Sequence, residues 1–148
     1  MRQAEQLPRR PSWDAIFIAL MILWMSPIAE AKSGKPLLRC QISQGGGDPH
    51  IFEFKQAADP YSVKSVDIDG HFRFKAVMVG TEHIAYIKLY TYYQASHQVI
   101  LLHEAKYVPP AVPSTSGSAV SFTGINYLYS PILGRELQYS CTLTAVSS

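Results

Sequence analysis

The reactive side chains of this chain are few and scattered, and their patterns decide which reactions they support. His50, His71, His83, His97 and His103 are the candidates for metal binding. Zinc takes three or four converging ligands, and neighbouring ligands on a strand would come as His-x-His. That pattern is absent. His97 and His103 fall on one strand face but stand about 20 Å apart along it. Asp67-Ile68-Asp69-Gly70 opens like a calcium loop, yet the further oxygen ligands and closing glutamate are missing, so it reads as a hairpin turn. Gly45–Gly47 lead into Asp48-Pro49 and not into Lys-Ser/Thr, which leaves a turn and no phosphate loop. Ser114–Ser118 holds no G-x-S-x-G elbow. Glu104 and Glu136 act together only if separate strands bring them together. No catalytic residue, metal site or cofactor is predicted, and the chain is not expected to be an enzyme.

Tyrosine is the stronger signal. Four of the nine tyrosines, Tyr86, Tyr90, Tyr92 and Tyr93, lie in one segment. At a period of two, Tyr86, Lys88, Tyr90 and Tyr92 share a face opposite Ala85, Ile87, Leu89 and Thr91. If the aliphatic face packs inward, the outward face is an aromatic ladder around a lysine, suited to stacking on a sugar or filling a protein interface. Tyr127 and Tyr129 form a second group expected to lie beside it. The competing reading is a central strand covered on both sides, its tyrosines serving only the sheet.

These side chains need a scaffold, and the spacing of turn signals supplies one. Strands are predicted at Pro36–Ser43, His50–Lys55, Tyr61–Asp67, His71–Val79, His83–Tyr93, Gln98–Val108, Ala119–Phe122 and Arg135–Val146, with a short helical turn near Gln56–Ala58. No apolar 3.6 repeat of three turns competes with them after residue 31. The fold class is all-β, a small sandwich or barrel of about seven to eight antiparallel strands closed by one disulfide. Around Asp69-Gly70, a three-residue loop Ile68-Asp69-Gly70 pairs Val66 with Phe72 and keeps Val66, Phe72, Phe74 and Met78 on one buried face. The Pro- and Ser-rich stretch from Val108 to Ser118 reads as a surface loop inside the domain.

Cys40 and Cys141 are the only cysteines. Leu38, Cys40 and Ile42 alternate with polar residues, as do Leu137, Tyr139, Cys141 and Leu143, so both cysteines face the core and are expected to pair. A disulfide tying the ends of a β-barrel is similar to the architecture of small periplasmic lysozyme inhibitors. None of that family's motif residues is found here, so the likeness implies architecture only.

The N-terminus supplies an address. Arg2, Arg9 and Arg10 precede an apolar run from Ala15 to Met25, and Ser26-Pro27-Ile28-Ala29-Glu30-Ala31 ends in a small-x-small site. The run is shorter than the roughly 20 residues of a membrane span. Residues 1–31 are therefore expected to be a cleaved signal peptide and residues 32–148 a single exported β domain, periplasmic or secreted. Without cleavage the protein is tethered by its N-terminus, an outcome that Asp14 beside the apolar run keeps open. Cleavage removes Arg2, Arg9 and Arg10 together with Glu5, Asp14 and Glu30, so the net charge of +2 is unchanged. The basic residues are scattered singly apart from Arg73 and Lys75, so nucleic acid is not an expected partner. After cleavage no stable membrane insertion is expected. The expected function is a binding or inhibitory module whose partner is a protein or glycan in the envelope or extracellular space. The alternatives are a structural subunit of a surface or envelope assembly and, third, a small hydrolase.

Overall fold

A computed structural model describes residues 35–108 and 120–146 of this chain. The expected signal peptide and most of the Pro- and Ser-rich stretch lie outside the described residues. The elements are all strands: β1 (Lys35–Gln44), β2 (His50–Ala57), β3 (Val66–Ile68), β4 (Phe72–Gly80), β5 (Ile84–Gln94), β6 (Val99–Tyr107), β7 (Val120–Tyr129) and β8 (Glu136–Val146). They form one sheet in the order β6-β5-β4-β2-β1-β8-β7, with β3 beside β4. The end strands β6 and β7 approach where the rings of Tyr107 and Phe122 sit 4.5 Å apart. The sheet is thus a nearly closed barrel, and the all-β fold is as the sequence predicts.

Period-two alternation fills its interior. Leu38, Cys40 and Ile42 of β1, Phe72, Phe74, Ala76 and Met78 of β4, Ile87 and Leu89 of β5, and Leu137, Tyr139, Cys141 and Leu143 of β8 form one buried cluster. β1 and β8 pair antiparallel from Lys35↔Val146 to Gln44↔Leu137, with Cys40 directly opposite Cys141. The two cysteines are disulfide-bonded across 101 positions of sequence. The bond therefore lies inside the longest-range ladder of the fold.

The structure differs from the sequence reading at several places, each with a local cause. The β2–β4 contact is parallel, through Gln56↔Met78 and Ala57↔Val79. A tight hairpin joins only antiparallel neighbours, and here residues 58–65 and β3 intervene. The same pairing keeps Gln56 and Ala57 extended, so no helical turn forms there. Tyr61–Asp67 shrinks to Val66–Ile68 because Asp59 folds the chain into a turn: its Oδ1 accepts from the Tyr61 N–H at 2.9 Å, and its carbonyl accepts from Ser62 Oγ at 2.7 Å.

At the hairpin, Asp69 and Gly70 both take positive φ, 50° and 70°, as an Asp-Gly hairpin turn requires. His71 then stands outside the ladder, and the strands pair Ile68↔Phe72 and Val66↔Phe74. The register is two residues from the predicted one, yet the buried face is the same.

β7 runs on to Tyr129, well past the predicted Phe122. Its register with β8 shifts between Ser121 and Ile125. Gly124 takes φ 69° there, and Thr123 Oγ1 accepts from the Cys141 N–H at 2.9 Å, replacing a ladder bond. A side chain bridges the irregularity, so the strand resumes.

Candidate functional site

The tyrosine-rich strand β5 has two unlike faces. Ile87, Leu89, Thr91 and Tyr93 are buried, while Tyr86, Lys88, Tyr90 and Tyr92 are half-buried on the outer side. Tyr93 belongs to the core, its ring meeting Phe72 edge-on at 5.5 Å. Ala85 departs from the predicted inner set: it is exposed, because the β4–β5 register shifts at Val79/Gly80 and Ile84 packs on the core instead.

Strand pairing builds the outer face outward from β5. On β4, Arg73 stands opposite Tyr92, Lys75 opposite Tyr90 and Val77 opposite Lys88. On β6, Glu104 stands opposite Tyr90 and Lys106 opposite Lys88. Residues directly opposite share a face, so four cations from three strands meet three tyrosines. Val77, paired with the outward-facing Lys88, is only 3% exposed.

Lys88 and Lys106 would repel if both stood straight, and each leans to a diagonal neighbour. Lys88 Nζ donates to Glu104 Oε1 at 2.7 Å and lies 5.7 Å from the Tyr90 ring centroid. Lys106 Nζ lies 5.4 Å from the Tyr86 ring centroid, within cation–π range. The Tyr90 and Tyr92 rings stack at 6.2 Å with 14° between their planes. The Glu104 carboxylate, with the Tyr90 side chain, holds the Lys88 ammonium well above the ordinary lysine range. Partial burial raises the Tyr92 phenol. Both shifts hold Lys88 as the ammonium and Tyr92 as the neutral phenol. The face offers flat rings, hydrogen-bond donors and positive charge, and no nucleophile–base pair.

Tyr127 and Tyr129 lie on β7, which pairs with β8 and meets β6 through Phe122 and Tyr107; no strand pairing joins them to β5. The two are exposed, at 53% and 58%, in line with Ile125 at 60%. Tyr129 donates to Glu136 Oε2 at 2.9 Å, which raises its phenol.

The remaining polar groups do not converge. His50 faces Asp69 at 3.3 Å. His103 and His97 do not share a strand face: His97 lies in the connection between β5 and β6, and the β5–β6 register shift near Leu102 turns His103 inward, 6.2 Å from the Tyr139 ring. Glu104 and Glu136 each have a partner of their own. No group of three or more His, Cys, Asp or Glu residues that could hold a metal occurs among the described residues. A groove of about 630 Å³ is lined by Lys35, Glu53, Lys55, Gln56, Gly80 and Thr81, among others; its Glu53 carboxylate is engaged by Arg39 at 2.6 Å.

Sequence reasoning placed Tyr86, Lys88, Tyr90 and Tyr92 on one face but missed that Arg73, Lys75, Glu104 and Lys106 join them. The alternation Arg73-x-Lys75 and Glu104-x-Lys106 was readable; the register that unites them was not. The chain matches no family model, no curated protein and no solved structure.

Proposed function

We propose that this protein is an exported binding module that engages a protein or glycan through the outer face of β4, β5 and β6. One observation carries the reading: three tyrosines and four cations gather on the solvent side of strands whose other side is already core. Tyrosine brings large contact area with little rotamer freedom to lose, which suits recognition. Affinity capture with purified protein from envelope extract tests it. Capture should be lost when Tyr86, Tyr90 and Tyr92 are changed to Ala and kept when Tyr127 and Tyr129 are changed. Capture unaltered by the first set, in folded protein, removes this face as the binding surface.

The Cys40–Cys141 disulfide fits an oxidising compartment outside the cytosol. No helix among the described residues is long and apolar enough to cross a membrane. We place the protein in the periplasm or outside the cell, cut after Ala31. Both tryptophans, Trp13 and Trp24, leave with that segment, so exported protein should show tyrosine emission alone. Tryptophan emission from it means that the N-terminal segment is retained.

A structural subunit is the second reading, and β7 favours it. β7 ends the strand order, contains no charged residue and exposes Ile125, Tyr127 and Tyr129. Uncharged edge strands are templates for pairing. This reading predicts concentration-dependent assembly in sedimentation, abolished by Tyr127→Lys; a monomer at all concentrations rejects it.

A further inference from the structure

We infer that the ligand of the outer face is an acidic polysaccharide, its sugar rings laid along the tyrosines of β5 and its carboxylate or sulfate groups met by Arg73, Lys75 and Lys106. The inference rests on the reading of this face as the binding surface and adds the chemistry of what it binds.

Charge comes first. Arg73, Lys75, Lys88 and Lys106 share the face with Glu104 and with Asp67, which stands opposite Arg73. Among the described residues only Lys88 of the four is ion-paired, to Glu104. Arg73 instead donates through Nε to the neutral Gln94 side chain at 2.9 Å. Asp67 accepts from the Gly70 N–H at 2.9 Å. Arg73, Lys75 and Lys106 thus keep their charge for a ligand, and that ligand is anionic.

The distribution of charge then separates a sugar chain from a protein. A protein interface depletes charge at its centre and leaves it at the rim. Here Lys88, with its ion pair, sits at the centre, and the apolar residue beside it on β4, Val77, is already covered. The aromatic residues run in a line along one strand. Tyr86 to Tyr92 spans about 20 Å at the usual rise per residue, the shape of an extended polymer. The Tyr90 and Tyr92 rings are nearly parallel and stack on one another, a pair that offers a sugar its outward ring edges and the ring face left at its end. Single-stranded nucleic acid also combines stacking with charge, but a disulfide-closed domain works in an oxidising compartment, where acidic glycans are the abundant linear polyanions.

The test is equilibrium binding of the purified protein to polygalacturonate, to its neutral methyl ester and to an oligothymidylate of equal charge. Polygalacturonate should bind best and weaken as salt rises, since exposed charges are screened. Lys75→Gln with Lys106→Gln, and separately Tyr90→Ala with Tyr92→Ala, should each weaken it by about tenfold or more, roughly 1.4 kcal/mol. Tyr127→Ala with Tyr129→Ala should leave it unchanged. Tyr90→Phe with Tyr92→Phe retains the rings and should retain binding, which separates lost stacking from misfolding. Equal binding of the methyl ester overturns the acidic assignment and leaves the binding face standing. Tighter binding of oligothymidylate overturns the glycan assignment. Binding to none of the three overturns the inference, while the capture experiment judges the broader reading separately. Loss of binding only in the β7 variant overturns both.

Discussion

Tyr139 is the largest fully buried side chain, and its hydroxyl has no hydrogen-bond partner among the described residues. Its ring packs against Phe74 at 5.1 Å, so the ring stabilises the core while the buried oxygen opposes it. Tyr139→Phe should leave stability unchanged or raise it by up to about 1 kcal/mol, read from the urea midpoint. Tyr139→Ala should cost about 3–5 kcal/mol through the cavity it leaves. Burial also pushes the Tyr139 phenol well above the ordinary tyrosine range, and Tyr107 follows for the same reason. A phenol whose folded pKa is raised contributes stability that is complete below its unfolded value near 10 and is lost as pH climbs through the folded one. Phenolate absorbance should therefore reach its full amplitude only with alkaline unfolding, Tyr139 ionising last. A single stage near pH 10 in folded protein contradicts the burial of Tyr139. At this scale the sequence was a good guide to which side chains point inward along a regular strand. It failed at Ala85 and His103, where a one-residue irregularity reverses the alternation.

Those irregularities belong to the elements. Gly80 sits at the β4–β5 register shift with φ 153°. A Cβ there would overlap the His83 carbonyl oxygen and press on Gln56 Nε2, which itself donates to that carbonyl at 3.2 Å. Gly80→Ala should cost about 1–3 kcal/mol in urea unfolding, in the range of strain at a constrained backbone position. Gly70→Ala, at φ 70° in open space, should cost less, about 1–2 kcal/mol, from conformation alone. Equal costs would mean that the close approach at Gly80 is not what constrains it. Strand identity was legible from alternation and from Gly, Pro and Asp punctuation. Strand ends were not. Asp59 captured the segment predicted as a strand from Tyr61, and the Thr123 hydroxyl carried β7 past a glycine that reads as a break. Both are side chain-to-backbone bonds whose partners local pattern does not announce. The parallel β2–β4 contact was hidden for a similar reason, since it is set by a crossover and not by a turn.

The whole molecule is held by a closure that spans nearly its full described length. Cys40–Cys141 joins positions 101 apart, and the chain-entropy account assigns a loop of that size roughly 4–5 kcal/mol as an upper figure. Cys40→Ala with Cys141→Ala should lower unfolding free energy by up to that amount; since β1 and β8 pair along their whole length, a cooperative transition should persist. An unchanged urea midpoint would show that the bond adds nothing to the ladder it crosses. Pairing of these cysteines was readable because only one pairing exists and both lie on apolar strand faces. The cationic half of the outer face was not readable, because it is assembled from β4, β5 and β6 by register, and charges distant in sequence looked scattered. The proposed binding depends on that assembled face. Its most direct measurement is an amide chemical-shift map of the isotope-labelled protein during titration with a galacturonate oligosaccharide. The predicted result is saturable change along Arg73–Lys75, Tyr86–Tyr92 and Glu104–Lys106, with Ile125–Tyr129 unmoved. Change concentrated on β7, or none at saturating oligosaccharide, would contradict it.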